Sequence, residues 1–306
     1  LAAQQQFGLD GEMAEQRVVL VTGASSGIGR ATAGLLARSG YRVYGTSRKP
    51  QADTLDGFML LPLDVTDDAS VAQCMQTIIA QTGRLDVLVS NAGATLPGAV
   101  EMVDVEAVQT LFETNYIGTV RVIRAALPHL RASRGKIIIV GSGLGLAGMP
   151  FQAHYSASKH ALEGLAEALR QEVAPLGVRV SIVEPGFVQS GIYDASPPSP
   201  SALSAYSQSQ TRALTAFERR IRRGIPPDTV ASTIHHIVAV STPRLRYTVG
   251  HDAQALAWGK RLAPYPLFVK GFRLVFGLDW WRDEVRRFLP FAALAGGMLA
   301  LWRWRR

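Results

Sequence analysis

From Gln16 onward the chain alternates short, wholly apolar runs with longer mixed stretches. Val18–Val21 is apolar and stops at a glycine-rich turn, Gly23–Gly29. Arg30–Ser39 follows with helical character, and Gly40 stands where a helix ends in a left-handed residue. Tyr41–Thr46 and Met59–Leu63 read as strands, and Val71–Thr82 as a helix. Leu85–Ser90 and Lys136–Val140 are the continuous apolar runs of parallel strands covered on both faces. Val105–Leu127 predicts one or two long helices ending near Pro128, Tyr155–Val173 a long helix and Val178–Val183 a further strand. Alternating strands and helices of this kind predict an α/β, doubly wound parallel sheet with helices on both faces. No short-period repeat points to a solenoid.

Beyond Gly186 the rhythm breaks. Ser196–Ser201 is a proline- and serine-rich loop, and Ala213–Arg223 a basic helix. Open α/β sheets bind ligands in the loops after strand ends, so residues 187–225 are expected to form a substrate lid. The predicted organisation is a single domain, with 1–14 a tag or disordered segment, 15–262 the catalytic domain and 263–306 a C-terminal apolar/basic extension. The start on Leu1 suggests a tag remnant or fragment with Met13 as a native start. The 306 residues, 47% hydrophobic, suffice for a buried core. A single cysteine, Cys74, excludes an internal disulfide and any multi-cysteine metal site, which suits a reducing, cytoplasmic setting. The net charge of +8 is uneven: residues 1–211 carry 15 Lys/Arg against 18 Asp/Glu, and residues 212–306 carry 17 against 6. The basic excess therefore belongs to the last third, where phosphates, nucleic acid or lipid headgroups would be attracted.

The chemistry begins at Thr22-Gly23-Ala24-Ser25-Ser26-Gly27-Ile28-Gly29, which follows a strand and opens a helix. Gly23 permits a tight turn, Gly27 a close approach of backbone to a dinucleotide, and Gly29 close helix packing. The helix start then offers free N–H groups to a pyrophosphate. This spacing resembles the short-chain dehydrogenase/reductase family, and other pieces of that pattern follow in order over residues 16–190. Asn91-Ala92-Gly93 is similar to the segment that steadies the sheet near the adenosine. Asp64-Val65 is similar to the adenine-binding pair, and Pro185-Gly186, with Val188 beyond, to the turn beside the nicotinamide. The resemblance implies a Rossmann-like fold and a homodimer or homotetramer. After the second strand, Ser47-Arg48-Lys49 holds no carboxylate to repel a 2′-phosphate, and Arg48 can bind one through a forked, charge-assisted pair. Ser47 can add a hydrogen bond. NADP(H) is the expected cofactor.

Tyr155 and Lys159 stand at i and i+4 of a predicted helix, on one face. A free phenol has a pKa near ~10, and a neighbouring ammonium lowers it toward acid–base use at neutral pH. Ser142, just past the strand Lys136–Val140, can polarise a carbonyl oxygen. Ser142, Tyr155 and Lys159 resemble the family's catalytic triad, and Asn115 its fourth residue, which helps hold a water linked to the lysine. The resemblance also implies that Lys159 binds the nicotinamide ribose. Ser158 is a weaker nucleophile candidate, since no histidine–acid pair accompanies it. His154 reads as packing or surface. The pair His235-His236 has no further ligand at metal spacing, so no metal is expected.

Leu144, Leu146, Met149, Pro150 and Phe151 between Ser142 and Tyr155, with Phe187 and Val188, predict an apolar substrate pocket. Pro243-Arg244-Leu245-Arg246-Tyr247 and Val249-Gly250 are similar to the C-terminal region of family members acting on steroids and retinoids. The expected substrate is a lipophilic ketone, aldehyde or alcohol of that type. Phe288–Trp302 is an uncharged run of fifteen residues followed by Arg303-Trp304-Arg305-Arg306. A spanning helix needs roughly 20 apolar residues, so this tail reads as a peripheral membrane contact or as packing on the protein; the stretch Tyr265–Trp281 shares its character. Three other readings compete: a non-catalytic dinucleotide-binding regulator, a reductase of small carbonyls, and a sugar-nucleotide epimerase. Nucleic-acid binding lacks a recognition module.

Overall fold

The computed structural model describes residues 16–50, 54–191 and 203–278. The loop Ser196–Ser201, the N-terminal segment 1–14 and the run Phe288–Trp302 lie outside the described residues.

Eight strands among the described residues form one sheet. They are β1 (Val18–Val21), β2 (Arg42–Ser47), β3 (Thr54–Leu55), β4 (Phe58–Pro62), β5 (Val87–Ser90), β6 (Lys136–Val140), β7 (Arg179–Pro185) and β8 (Arg246–Val249). The order is β3-β4-β2-β1-β5-β6-β7-β8, and only the short β3 runs antiparallel to its neighbour. The chain moves outward from β1 through β2 to β4, then returns to place β5 on the other side of β1. That reversal opens a crevice beyond the carboxyl ends of β1 and β5, where open α/β sheets take their ligands.

Alternation within each strand divides the core in two. Val18, Leu20 and Leu88 pack with α2 (Asp68–Thr82), α4 (Gly118–Ser133) and α5 (Ala153–Val173). Val19, Val21 and Val89 pack against α1 (Gly27–Arg38) and α7 (Pro227–Ala239). Helix α2 starts where Asp67 accepts a hydrogen bond from the Ala69 N–H, 2.9 Å. The long helical stretch divides into α3 (Val105–Phe112) and α4, joined by a wider π turn over Glu113–Ile117. Pro128 does not end α4, which continues to Ser133 and closes on Arg134 in the left-handed region.

The strand–helix rhythm also continues past Gly186, through α6 (Ser207–Arg222), α7, β8, α8 (His251–Leu262) and α9 (Tyr265–Val275). Helix α7 is packed by Val230, Ile234, Ile237 and Val238, and its C-terminal end is closed by a buried cation. Lys136 Nζ donates to the carbonyls of Ile237 (3.1 Å), Val238 (2.6 Å) and Val240, collecting the open end of the helix at the base of β6. Burial, helped by the charge of Arg17, pulls this ammonium down to about 8. Lys136→Met strands those carbonyls without a donor, an expected loss of about 1–3 kcal/mol. A thermal melt reads that as a drop of about 2–4 °C per kcal/mol; an unchanged melt refutes the role.

Candidate active site

At the crevice, β1 and β5 are tied together by Thr22. Its buried hydroxyl accepts the N–H groups of Asn91 (2.9 Å) and Ala92 (3.0 Å), while Asn91 Nδ2 donates to the carbonyls of Thr22 (2.9 Å) and Gly23 (3.1 Å). The glycines are required by contact as well as conformation. A Cβ on Gly29 would lie 2.2 Å from the Gly23 oxygen and 2.5 Å from Asn91 Nδ2. Gly23 has φ +67, with room for no Cβ beside Ala92, and Gly27 has φ +53. Ser25 and Ser26 are exposed on the loop, and Ser26 places no side chain on the first turn of α1. The N–H groups of that turn, through Ile28, face an open crevice.

Around the loop, Ser47 ends β2 and Arg48 follows it, exposed. Asp64, after β4, accepts from the Thr66 N–H (2.9 Å) and hydroxyl (2.7 Å). Those bonds, aided by the charges of Arg48 and Arg121, hold its carboxyl below the usual range. Val65 is buried beside it.

The other end of the crevice holds the four residues expected to react. Asn115 sits in the π turn, its Oδ1 accepting from Ala94 N (2.8 Å) and its Nδ2 donating to Ala94 O (3.0 Å) and Ser158 Oγ (2.9 Å). Ser158 thus tethers Asn115 to α5 and is no exposed nucleophile. A Cβ on Gly93 would lie 3.3 Å from Asn115 Oδ1 and 3.8 Å from Lys159 Nζ, so these segments converge. Ser142 follows β6, its hydroxyl accepting from Leu144 N (3.1 Å); the same hydroxyl and the Tyr155 phenol line one cavity. Lys159 Nζ donates to Val140 O (3.0 Å) and lies 5.8 Å from the Tyr155 ring centre. Burial pulls the ammonium down to about 8, opposed by the Glu163 carboxylate. Here the electrostatics differ from expectation. Burial pushes the Tyr155 phenol above its ordinary value and the Ser142 hydroxyl opposes that, while the Lys159 ammonium donates to the Val140 carbonyl.

A family model described as short chain dehydrogenase matches residues 17–199. The chain is a short-chain dehydrogenase. Over 270 residues, 86% of this chain and 99% of the other, it is 39% identical to a 3-ketodihydrosphingosine reductase of Bacteroides thetaiotaomicron. It is 36% identical to a mouse 17-beta-hydroxysteroid dehydrogenase type 1, over 75% of this chain and 72% of that one. The crystal structure of a short-chain dehydrogenase from Streptomyces avermitilis superposes with a TM-score of 0.73 at 30% identity, covering 92% of this chain and 98% of that one. The protein is therefore an oxidoreductase of a family that uses NAD or NADP.

The dehydrogenase's crevice fits such a dinucleotide: glycines stand where any Cβ would collide, and an uncapped helix start faces them. Past β7, the turn Pro185-Gly186 is held by Asp252 from α8, which accepts the Phe187 N–H at 2.6 Å. A Cβ on Gly186 would lie 2.1 Å from Asp252 Oδ1. Val188 bridges to Ile225. Asp252 carried no signal in the sequence, because its partner lies 65 positions away. A second unforeseen group stands one turn beyond Lys159. Arg246 reaches Glu163 (3.1 Å), Glu184 (3.2 Å) and Glu167, and burial pushes the first two carboxyls up, Glu163 to about 7. Its trace was Glu163 at i+4 from Lys159, on the same helical face.

Ser142 and Tyr155 open on a cavity of ≈ 470 Å³. Leu144, Phe187 and Val188 line it as expected, whereas Pro150 and Phe151 line a neighbouring recess and Met149 is buried in the apolar cluster around Tyr155. Leu146 contributes its carbonyl to Lys260. The far wall comes from α6, α8, α9 and the residue after it; it is mainly apolar, with Phe217, Leu256, Phe268, Phe272 and Phe276, and includes Arg220 and Asp252.

Proposed function

We propose that this dehydrogenase is an NADP(H)-dependent reductase of lipophilic ketones or aldehydes, which in reverse passes hydride from the corresponding alcohols to NADP+. One observation carries the reading: the hydroxyls of Ser142 and Tyr155 open together on a mainly apolar cavity beside the dinucleotide crevice, whose lining includes few other polar side chains, among them Arg220 and Asp252. At ≈ 470 Å³ the cavity suits a medium-sized ligand held mainly by apolar surface with a few aimed polar groups. Steroid- or retinoid-like skeletons fit that description. The full-length likeness to a 3-ketodihydrosphingosine reductase favours long-chain ketones equally.

When bound, nicotinamide supplies or accepts the hydride. The chain's residues handle the oxygen. Ser142 donates a hydrogen bond to the carbonyl, countering charge that builds there during reduction. Tyr155 gives that oxygen its phenolic proton, and burial, by keeping the phenol protonated, suits it to this direction. The Lys159 ammonium, 5.8 Å from the ring, stabilises the phenolate left behind. Asn115 and Ser158 lock α5 against the loop after β5, which fixes Tyr155 in position. The described parts of residues 187–225 serve as the substrate cover, through Phe187, Val188, Phe217 and Ile221.

Following NADPH absorbance against 3-ketodihydrosphingosine, estrone, retinal and a small water-soluble aldehyde tests the substrate class; turnover of the small aldehyde alone refutes it. The cofactor preference rests on Arg48, exposed at the end of β2 with no carboxylate beside it in Ser47-Arg48-Lys49. Arg48→Ala is expected to weaken NADPH roughly 10–100-fold, the worth of one charge-assisted contact, and to leave NADH unchanged. Wild-type preference for NADH, measured by nucleotide titration, overturns it.

A further inference from the structure

Six large apolar side chains stand in solvent within a short stretch of α8 and α9: Trp258, Leu262, Tyr265, Leu267, Leu274 and Val275, each between 43 and 76% exposed. Scattered apolar residues need no explanation, but a cluster of this size marks a contact surface. The same stretch is one-signed in charge. Between Ala253 and Leu278 there is no Asp or Glu, and Lys260, Arg261, Lys270 and Arg273 supply four positive charges. The opposite side of these helices forms the cavity wall, through residues such as Leu256 and Phe272. Leu267 and Val275 belong to both, since they line the cavity and are exposed.

We propose that the exposed face of α8–α9 docks on an anionic lipid bilayer, with the mouth of the substrate cavity opening into the docked face. Two arguments select this occupant. An isologous contact with a second copy would bring like charges together around the apolar patch, which is unfavourable. Mixed Trp, Tyr, Lys and Arg beside aliphatic residues is the composition that settles at headgroup depth on a negative membrane surface. Further along the chain, after the mixed-charge segment 279–287 with Asp279, Asp283 and Glu284, the uncharged run Phe288–Trp302 is bounded by Arg286-Arg287 and Arg303, again apolar residues flanked by bases. No helix among the described residues is long and apolar enough to cross a membrane, and the docking is peripheral. Docking stands on the patch alone; entry of substrate from the bilayer rests on the lipophilic-substrate reading above.

The test uses the full chain and vesicles of phosphatidylcholine alone or with one-third phosphatidylglycerol. Wild type is expected to sediment with the anionic vesicles and much less with neutral ones. The triple variant Trp258→Ser, Leu262→Ser, Tyr265→Ser keeps the tail and the catalytic residues; its partition onto anionic vesicles is expected to fall roughly tenfold or more. Circular dichroism and NADPH turnover of a detergent-dissolved ketone check that the variant is folded. Turnover of the same ketone embedded in vesicles is expected to fall with binding. Equal sedimentation of variant and wild type assigns membrane contact to the tail and overturns the proposal, as does no sedimentation of either. A wild-type dimer in light scattering that the variant loses assigns the face to a second copy and also overturns it. If vesicles bind normally and no lipophilic ketone is reduced even in detergent, the substrate reading fails and the docking surface stands.

Discussion

Tyr155→Phe is expected to lower turnover of the reduced ketone by roughly 10²–10⁴-fold, the usual worth of a positioned acid, while nucleotide affinity stays near wild type. The substitution removes one oxygen and keeps the ring that packs with Leu144 and Met149, so the fold has no reason to change. What goes is the proton donor. Steady-state kinetics alongside a fluorescence titration with NADPH separates the two effects; retained turnover ends the assignment.

The same site sets the pH response of the wild-type enzyme. Reduction needs the proton on Tyr155 and the charge on Lys159. Burial raises the phenol above its ordinary value and lowers the ammonium to about 8, so Lys159 is the first of the two to lose its proton as pH rises. Activity in reduction should therefore be fully present at neutral pH and decline as pH passes through about 8. A profile of kcat/KM from pH 6 to 10 that stays level through that range contradicts this ordering.

Gly29→Ala is the second large effect. The added carbon meets the Gly23 oxygen at 2.2 Å and Asn91 Nδ2 at 2.5 Å, two groups that are hydrogen-bonded to each other. Neither yields cheaply: Gly23 is held in a left-handed turn against Ala92, and Asn91 also bonds Thr22. The expected outcome is an opened glycine turn, dinucleotide affinity reduced by about 100-fold or more, and a stability loss of about 1–3 kcal/mol from overpacking. Gly164→Ala on α5 is the matched control, because nothing lies within 4 Å of its new carbon. There the only consequence is a gain of about 0.5–1 kcal/mol in helix stability. Calorimetric titration with NADPH and a melt of each variant read both quantities; equal affinities for the two would show that the loop tolerates a side chain.

Short-range signals carried most of the sheet. An apolar run of four or five residues buried on both sides needs no distant partner to be recognised, which is why β1, β5 and β6 were legible within two residues of their ends. The left-handed glycines and the Tyr155–Lys159 spacing were legible for the same reason, since each is a statement about neighbours along the chain. Pro128 misled at the end of α4, where tertiary packing of Leu130 and the cap at Arg134 carry the helix five residues further.

The chain order by itself determined that there would be a doubly wound sheet, a dinucleotide loop after its first strand and a Tyr–Lys pair on one helical face. Folding alone decided that Asp252 would brace the Pro185-Gly186 turn, that Lys136 would close α7 from a strand about a hundred residues earlier, and that Lys159 would spend its hydrogen bond on Val140. It also decided that α8 and α9 would form the cavity's far wall while exposing their other side. Backbone periodicity and turn chemistry act over a few residues and leave a visible pattern. Burial, charge pairing and cavity shape arise between segments that meet only in three dimensions, and so leave none.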